Sequence, residues 1–398
     1  MTLASSRPHV ESLPSPRASA DFLFYGELLA PHERARLDRA ITMFREVVQP
    51  VVAAHWTAAT FPFELLPALG RENIVSVVSG GASHLLHGFL HLELSRVDLS
   101  MSTFLGVHEL SVSAIDLMGS DEQRAKLLPG LRSLTAIGAF GLTEPEHGSD
   151  ISRAMQTTAT RDGEHWILDG TKRWIGNGTF ADHVCIWARD TADDTMRGFI
   201  VDRGTPGFTT RVIDNKIALR IVQNANIDLD HVRVSDSARL SGAQGFRDAN
   251  TLLTKSRIWV AWQAVGLQFA AYDLALAYAL ERTQFGKPIA SFQLTQDKLV
   301  RLLENATASL GTMVRIAQLQ DDRRIQPEHA AMAKASCTER MRESVAMARS
   351  IFGGNGISTD YDIARVFTDA EAVYSYEGSY EINTLVVGRA ITGISAFD

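Results

Sequence analysis

The period of the apolar residues changes twice along the chain, and this change constrains the fold more than any other feature. Between residues 31 and 56, apolar side chains recur every three or four positions, which is typical of an amphipathic helix. From about residue 157, apolar and polar residues alternate instead, as in strands with one buried face. The helical period returns at Phe246. Helices, then strands, then helices predict an α+β fold and not the strict alternation of a doubly wound parallel sheet.

This pattern divides the chain into four predicted segments. They are a disordered tail at residues 1–20, an N-terminal helical domain at 21–138, a middle β-domain at 139–240 and a C-terminal helical domain at 241–398. The tail is rich in serine, proline and arginine but lacks the apolar stretch of a secretory signal. Glu11 counts against a transit peptide without excluding one.

Strands and turns are predicted most clearly in the middle domain. Four stretches are rich in β-branched and aromatic residues and are predicted as strands: HVCIWARD, MRGFIVDR, GFTTRVI and ANIDLDHVRV. Asp-Gly pairs at 162–163 and 169–170 predict two hairpin turns. The glycines at 353–356 form the strongest later break, but they do not match G-x-G-x-x-G. We therefore expect no nicotinamide site of the kind that this fingerprint marks.

Composition and charge limit the classes of partner. The chain has 398 residues, of which 45% are apolar, so it can bury a large core. Its net charge of −7 argues against nucleic acid or an anionic membrane as the main partner, and no stretch reaches the ~18 apolar residues of a membrane span. The two cysteines, Cys185 and Cys337, form neither a disulfide framework nor a metal-site spacing. We expect two buried thiols, no metal site and a reducing compartment, the cytoplasm.

Five segments carry residue types that are suited to chemistry. They are AFGLTEPEHGSD at 139–150, WIGN at 174–177, RTQFGKPIASFQLTQDKL at 282–299, IFGGNGIS at 351–358 and YSYEGSYEIN at 374–383. Each alone has an ordinary structural interpretation, such as a capped loop, a core tryptophan, a surface charge, a helix C-cap or a solvated glutamate. Their joint order and spacing are far more specific than any single motif.

In this order and spacing, the segments resemble the acyl-CoA dehydrogenase family over nearly the whole chain from about residue 21. The stretches KIALRIVQNANI, RIWVAWQAVG and NTLVVGRAITGISAF are similar to the glutaryl-CoA dehydrogenase branch and the short-chain acyl-CoA oxidases of plants. The resemblance implies an N-terminal helical domain, a middle β-barrel-like domain and a C-terminal four-helix domain, assembled as a homotetramer or homodimer. It also implies FAD between the middle and C-terminal domains, reaching into a neighbouring subunit.

The resemblance implies two groups of cofactor-binding residues. The first surrounds the flavin ring and the nearby phosphates: Phe140, Leu142, Thr143, Gly148, Ser149, Trp174 and Gly176. The second holds the nucleotide end, in part that of the neighbouring subunit: Arg282, Phe285, Gln293, Gly353, Gly354 and Ser379. These residue types suit the task, because a guanidinium binds a pyrophosphate through two hydrogen bonds and glycine lets the backbone approach a nucleotide closely.

Glu377 aligns with the catalytic base of this branch of the family. The α-hydrogen of a thioester is weakly acidic, so its removal needs a positioned carboxylate and relief of charge at the carbonyl. In the family, the relief comes from the glutamate's own backbone N–H and a flavin hydroxyl, and the β-hydride leaves to the flavin. Arg257 matches an arginine near this base. Ser149, Ser102 and Glu377 are the implied substrate-binding residues.

Three positions, in two segments, differ from the related enzymes. Ser102 stands where glutaryl-CoA dehydrogenases have the arginine that binds the distal carboxylate, and Gly106 replaces a hydroxyl residue one turn later. A buried carboxylate without a cation would be costly, so we do not expect a glutaryl enzyme. His108 is either a ligand of a polar acyl group or a structural histidine. Gly176 replaces a threonine that most dehydrogenases place near flavin N5, and here the chain is similar to the plant oxidases.

Three functions remain open from the sequence. The first is dehydrogenation of a short or branched acyl-CoA, with electrons passed to an electron-transfer flavoprotein. The second is an acyl-CoA oxidase, or a dehydrogenase of acyl-carrier-protein thioesters. The third is a flavin-binding scaffold without turnover, against which the intact Glu377 argues. The expected partners are thus an acyl-CoA or acyl-carrier thioester, further copies of the chain and an electron-transfer flavoprotein, with neither nucleic acid nor a membrane.

Overall fold

The N-terminal region of the protein is helical. The computed structural model describes residues 19–75 and 77–397, so the predicted tail at 1–20 lies outside the described residues except for its last two. The helices are α1 (Pro31–Met43), α2 (Gln49–Ala58), α3 (Leu66–Arg71), α4 (His84–Val97), α5 (Leu99–Met118) and α6 (Asp121–Arg132). Helices α4 and α5 are buried along most of their length and form the layer on which the site is built.

Two local features interrupt the helices that the periodicity predicts. Helix α1 continues into α2 through a π-helical turn at Phe44–Val48. Pro50 accounts for this turn, because it has no backbone N–H and its ring crowds the carbonyl four residues earlier. Helices α4 and α5 are separated at Asp98, whose carboxylate accepts the backbone N–H of Met101 at 2.8 Å and caps α5. Asp98 also forms a buried ion pair with Arg365, which joins this corner to the C-terminal region.

The middle region is a mixed sheet. Its strands are β1 (Gly138–Gly141), β2 (Thr158–Asp162), β3 (His165–Ile175), β4 (His183–Asp190), β5 (Met196–Asp202), β6 (Phe208–Val212) and β7 (Ala225–Ser235), with the short helix α7 (Ile151–Ala154) after β1. The hydrogen-bonded order is β1-β4-β2-β3-β7-β6, and β5 pairs with β4. Strands β4 to β7 coincide with the four stretches predicted as strands. The predicted α+β class is confirmed.

One of the two predicted hairpins is wrong. The pair at 162–163 does turn the chain between β2 and β3, but the pair at 169–170 lies inside β3. There the register against β7 shifts between Leu168 and Gly170, which is a β-bulge. Gly170 has φ +143°, and a Cβ on it would lie 2.7 Å from the Cα of Thr157. The glycine therefore marks a close backbone approach and not a turn.

The C-terminal region is again helical. Helix α8 (Phe246–Glu281) is followed by a small hairpin of β8 (Thr283–Gln284) and β9 (Lys287–Pro288), and then by α9 (Gln293–Asp321), α10 (Pro327–Ile351), α11 (Asp362–Ser375) and α12 (Tyr380–Thr392). Helix α8 packs on α4 and α5 and also on α9, α10 and α11, so it joins the two helical regions. Cys185 and Cys337 are buried free thiols, as predicted. Among the described helices, none has the length and apolarity to cross a membrane.

Candidate active site

Glu377 lies in the short turn between α11 and α12. Its backbone has φ +55°, in the left-handed region, and Gly378 follows with φ +81°. A left-handed conformation is uncommon for residues other than glycine and is kept only where the surrounding contacts impose it. The side chain is half-buried.

Two side chains from different helices hold this turn. Lys334 of α10 is fully buried, and its Nζ donates to the backbone carbonyls of Tyr374 at 2.8 Å and Gly378 at 2.7 Å. Asn383 of α12 donates through Nδ2 to the carbonyl of Gly378 at 2.8 Å. These bonds fix the turn from both sides, so the direction of the Glu377 side chain is set by groups distant in the sequence.

The carboxylate of Glu377 is close to a hydroxyl and two buried cations. The hydroxyl of Ser256 in α8 donates to its Oε2. Burial raises the pKa of Glu377, while the Ser256 bond and the charges of Arg257 and Lys334 oppose this effect. Burial also lowers the pKa of Lys334 to about 7. Arg257 is buried, and among the described residues its Nε has no hydrogen-bond partner. A carboxylate with a raised pKa in a fixed position is suited to accept a proton from carbon.

A chain of hydrogen bonds leads from this turn into α8, α5 and α4. The hydroxyl of Tyr376 donates to Oε1 of Gln263 at 2.6 Å, and Nε2 of Gln263 donates to Oγ of Ser102 at 3.0 Å. Oγ of Ser102 also lies 3.3 Å from Nδ1 of His91. Ser102 and Gln263 are fully buried. The hydroxyl of Ser102 is therefore engaged inside the protein and connects to Glu377 through Gln263 and Tyr376.

The side of the turn next to α5 is closed by an indole. Trp259 of α8 occupies the space beside Gly106, where an added Cβ would lie 2.7 Å from the ring. The same indole lies 6.4 Å from the ring of Tyr376, measured between centroids. The apolar indole of Trp259 thus occupies the space that a hydroxyl side chain at position 106 would take.

His108 has a structural role in this layer. Its Nε2 donates to the carbonyl of Leu131 at 2.8 Å, and its Nδ1 accepts the backbone N–H of Gly138 at 3.0 Å. Burial lowers its pKa to about 4. Both nitrogens of the neutral His108 imidazole are thus hydrogen-bonded to the backbone. This supports a structural role for His108 over a role as a ligand of the acyl group.

The first group of predicted cofactor residues borders the edge of the sheet at β1 and β3. Phe140 and Leu142 are buried, Thr143 is half-buried, Gly148 and Ser149 are exposed before α7, and Trp174 and Gly176 lie at the end of β3. Trp174 has φ +64° and is 51% exposed, because the register of β3 shifts again between Lys172 and Ile175 and turns this ring outward. A Cβ on Gly176 would lie 3.0 Å from Cγ2 of Val107. The side chain of Val107 therefore partly fills the space that a threonine would use.

A buried ion pair fixes the loop after β1. Lys172 of β3 is fully buried, and its Nζ donates to the carbonyl of Leu142 at 3.0 Å and to the carboxylate of Glu144 at 2.9 Å. Glu144 also accepts the backbone N–H groups of Gln156 at 2.6 Å and Thr157 at 2.9 Å. Four hydrogen bonds thus tie the predicted flavin-binding loop to the sheet.

The second group is partly assembled in one chain. Arg282, Gly353 and Gly354 line a common cavity of about 290 Å³. A Cβ added to either glycine would find open space within 4 Å, so the backbone here is accessible to a ligand. Phe285 lies at the tip of the β8–β9 hairpin, with φ +51° and 94% of its surface exposed.

Two further residues of this group stand at helix starts. Gln293 is exposed at the first position of α9. Ser379 is the N-cap of α12, where its hydroxyl accepts the backbone N–H of Ile382 at 3.4 Å. The side chain of Ser379 is thus already engaged in helix capping.

Comparison with known proteins gives the family. The descriptions "Acyl-CoA dehydrogenase, N-terminal domain", "middle domain" and "C-terminal domain" match residues 30–135, 139–232 and 243–392. The chain belongs to the acyl-CoA dehydrogenase family. It is therefore a member of a group of FAD-dependent oxidoreductases that act on CH–CH bonds, and the resemblance noted in the sequence is confirmed.

Individual relatives cover almost the whole chain. The acyl-CoA dehydrogenase of Bacillus subtilis strain 168 is 31% identical over 361 residues, which cover 88% of this chain and 95% of that protein. A glutaryl-CoA dehydrogenase from Mycobacterium smegmatis in complex with FADH2 is 32% identical, with a TM-score of 0.92 over 96% of this chain and 100% of that one. The butyryl-CoA dehydrogenase of Megasphaera elsdenii is 29% identical, with a TM-score of 0.87 over 91% and 98%. A chain from a structure described as the electron transferring flavoprotein of Acidaminococcus fermentans is 30% identical, with a TM-score of 0.88 over 92% and 98%.

FAD is the cofactor of this family, and the residues of this chain fit it. The cavity beside Arg282 places a guanidinium next to accessible backbone at Gly353 and Gly354, a combination that is suited to a nucleotide diphosphate. Acyl-CoA thioesters are the typical substrates of the family.

The sequence did not indicate four residues that organise the site: Lys172, Ser256, Lys334 and Asn383. Ser256 directly precedes Arg257 and could have been found by extending that motif along the helix. Lys172 occupies the inward-facing position of its strand after Trp166 and Leu168, which is a signal that its ammonium needs a buried partner. Lys334 is more than 40 positions from Glu377, and no local pattern connects the two.

Proposed function

We propose that this chain dehydrogenates a short or branched acyl-CoA to the trans-2-enoyl thioester and passes the electrons to an electron-transfer flavoprotein. The observation that carries the proposal is the Glu377 carboxylate, which lies on a fixed left-handed turn, accepts a hydrogen bond from Ser256 and faces the buried Arg257. Such a carboxylate meets the requirement for removing a weakly acidic α-proton.

Glu377 and the residues around its turn have distinct tasks in this proposal. Glu377 takes the α-proton of the thioester. Ser256 and Arg257 favour its ionised form beforehand, and Lys334 holds the backbone of the turn. Bound FAD supplies the acceptor for the hydride that leaves the β-carbon. The indole of Trp259 lies beside Gly106 and 6.4 Å from the ring of Tyr376, so it limits the room next to the turn, which supports a short acyl group.

Anaerobic mixing with butyryl-CoA tests this function. We expect the FAD-loaded protein to lose its flavin absorbance, to be re-oxidised slowly in air and to be re-oxidised rapidly by an electron-transfer flavoprotein. The absorbance near 450 nm (a flavin property) and the peroxide formed are measured together. Peroxide formation at the full turnover rate without an acceptor protein would contradict the dehydrogenase proposal. Bleaching by carrier-protein thioesters alone would identify a different substrate carrier.

An oxidase is the second candidate, and Gly176 is the observation that favours it. The absent side chain removes a hydroxyl that related dehydrogenases place beside the flavin. Val107 occupies part of that space, at 3.0 Å from the position of a Cβ. Because this valine limits the room for oxygen, we rank the dehydrogenase first.

Glutaryl-CoA is expected to be a poor substrate. Ser102 supplies no charge, Arg96 is paired with Asp273 and Glu93, and both nitrogens of His108 are occupied. A distal carboxylate would therefore be buried without a cation, and we expect kcat/KM for glutaryl-CoA to be at least about 100-fold below that for butyryl-CoA. Steady-state rates with both thioesters and with isobutyryl-CoA measure this. A preference for glutaryl-CoA would show that another cation reaches the acyl pocket.

Arg282→Ala is expected to weaken FAD retention and assembly together. The proposal places the FAD of a neighbouring subunit, in a homodimer or homotetramer, at Arg282, Phe285 and Gln293. Flavin content after gel filtration and mass by light scattering are the measurements. Arg315→Ala is the matched control, because Arg315 is an exposed arginine of α9 outside the cavity. A wild-type protein that is a stable colourless monomer would refute the shared site.

Two further elements belong to the proposal. The limits at 21–138, 139–240 and 241–398 are proposed as the domain boundaries of the chain. The cytoplasm is proposed as the location, since two buried free thiols suit a reducing compartment.

A further inference from the structure

A cluster of two histidines and a glutamate lies on α4 and α5, apart from the Glu377 turn. His87 and His91 are one helical turn apart on α4, and Glu109 faces them from α5. Nε2 of His87 lies 2.9 Å from Oε2 of Glu109, and Nε2 of His91 lies 3.1 Å from the same oxygen. The three donor atoms all lie within 4.8 Å of one another.

The spacing of these atoms is close to that of ligands around one metal ion. Zinc binds imidazole nitrogen and carboxylate oxygen at ~2.1 Å, which separates neighbouring ligands by about 3.0 Å at right angles and about 3.4 Å in a tetrahedron. The two measured distances, 2.9 and 3.1 Å, lie on either side of the right-angle value, so a tetrahedral ion would need the donor atoms to move apart by about 0.3–0.5 Å. Two imidazoles and a carboxylate also form the donor set of zinc sites that keep one open position.

The second nitrogen of the buried histidine is oriented as metal ligands usually are. Nδ1 of His91 lies 3.3 Å from Oγ of Ser102, and that hydroxyl in turn lies 3.4 Å from the carbonyl oxygen of His91. With Nε2 on a metal, Nδ1–H would donate to Ser102, and the Ser102 hydroxyl would donate to the carbonyl. This kind of outer contact fixes the ring and its tautomer.

We propose that His87, His91 and Glu109 form a binding site for one divalent transition-metal ion of the zinc type. The side chain of His87 is 23% exposed, which gives the ion a path from solvent and leaves a position for water. His91 is almost fully buried, so the ion would tie the surface of α4 to the interior of α5. The cluster stands at one end of the hydrogen-bond chain from His91 through Ser102 and Gln263 to Tyr376, so the ion would bind apart from the Glu377 carboxylate.

Two other arrangements compete with this proposal. In one, the imidazole N–H groups simply donate to Glu109, and protons occupy the place of the metal. In the other, any bound metal lies at the second cluster of potential ligands in the described residues, Asp169, Asp230 and His231. That cluster is at the surface, where its side chains would lose more freedom on binding a metal.

Calorimetric titration of tag-free, FAD-loaded protein with Zn²⁺ distinguishes these arrangements. We expect one ion to bind per chain, and the His87→Ala and Glu109→Gln variants to lose this binding. Ser102→Ala removes the outer contact and keeps all three proposed ligands, and it should weaken binding by about 10- to 100-fold. His84→Ala is the matched control, because His84 lies one turn earlier on α4 and its imidazole bonds to Asp321 instead.

The outcomes decide the proposal without any measurement of turnover. The absence of saturable Zn²⁺ binding would show that only hydrogen bonds join His87 and His91 to Glu109, and it would overturn the proposal. Binding that persists in His87→Ala, or that is lost in His231→Ala, would place the ion elsewhere and overturn the proposal. His87 is partly exposed, so His87→Ala decides the question even if Glu109→Gln does not fold.

Discussion

Glu377→Gln is expected to slow bleaching of the flavin by the best acyl-CoA by about 10²–10⁴-fold, which is the usual effect of removing a general base. Glutamine keeps the size of the side chain and can still accept the hydrogen bond from Ser256. The contacts of Lys334 and Asn383 that hold the turn are to the backbone and are unaffected. The variant should therefore fold, bind FAD and remain yellow. Stopped-flow absorbance under anaerobic conditions measures the effect.

The pH dependence of bleaching tests whether the Glu377 carboxylate must be ionised. Only the ionised carboxylate can take the proton, and burial raises its pKa above the ordinary value of 4.5. The rate should therefore rise with pH through that raised pKa. Ser256→Ala is the matched control, since the Ser256 bond lowers the pKa of Glu377 and its loss should move the profile to higher pH while the maximal rate is kept. A Glu377→Gln variant that bleaches as fast as wild type would show that another residue is the base.

The sequence predicted the parts of this protein that depend on local pattern. Strands β4 to β7 were found because alternation and β-branched residues are properties of short segments. Glu377 was selected as the candidate base because its neighbours form a recognisable motif. The same reasoning failed at Gly170, where an Asp-Gly pair indicates a turn but the close approach of Thr157 makes it a bulge.

The contacts that position Glu377 could not be predicted in the same way. Lysine is almost always exposed, so nothing in the sequence around Lys334 indicates an ammonium that donates to two carbonyls 40 and 44 positions away. The environment of Ser102 could not be predicted for the same reason. Its alignment suggested an acyl contact, but its partners Gln263 and His91 come from other helices. Long-range polar pairing is set by packing and leaves no periodic signal.

Lys172→Met is expected to destabilise the folded protein by about 3–5 kcal/mol, the usual cost of removing one partner from a buried ion pair. Methionine fills a similar volume, so the loss is electrostatic. Glu144 would keep its two backbone N–H donors but lose its cation, and the loop with Leu142 and Thr143 would lose one of its anchors. Denaturant unfolding of the FAD-free and FAD-loaded proteins measures the change.

Two features distinguish this explanation from a general loss of packing. Without Lys172, the buried charge of Glu144 is unpaired, and Glu144 can lose this charge by binding a proton. At pH 7 protonation costs about 3.7 kcal/mol, because the pKa of glutamate in the unfolded chain is about 4.3. Its folded pKa would then lie above the unfolded one, so the folded state binds more protons and the stability of the variant rises relative to wild type as pH falls from 7 towards 4.3. The double variant Lys172→Met with Glu144→Gln removes both charges and should recover part of the loss at pH 7. If the single variant lost the same stability at every pH and the double variant recovered none, the ion pair would not be the reason that Lys172 is buried.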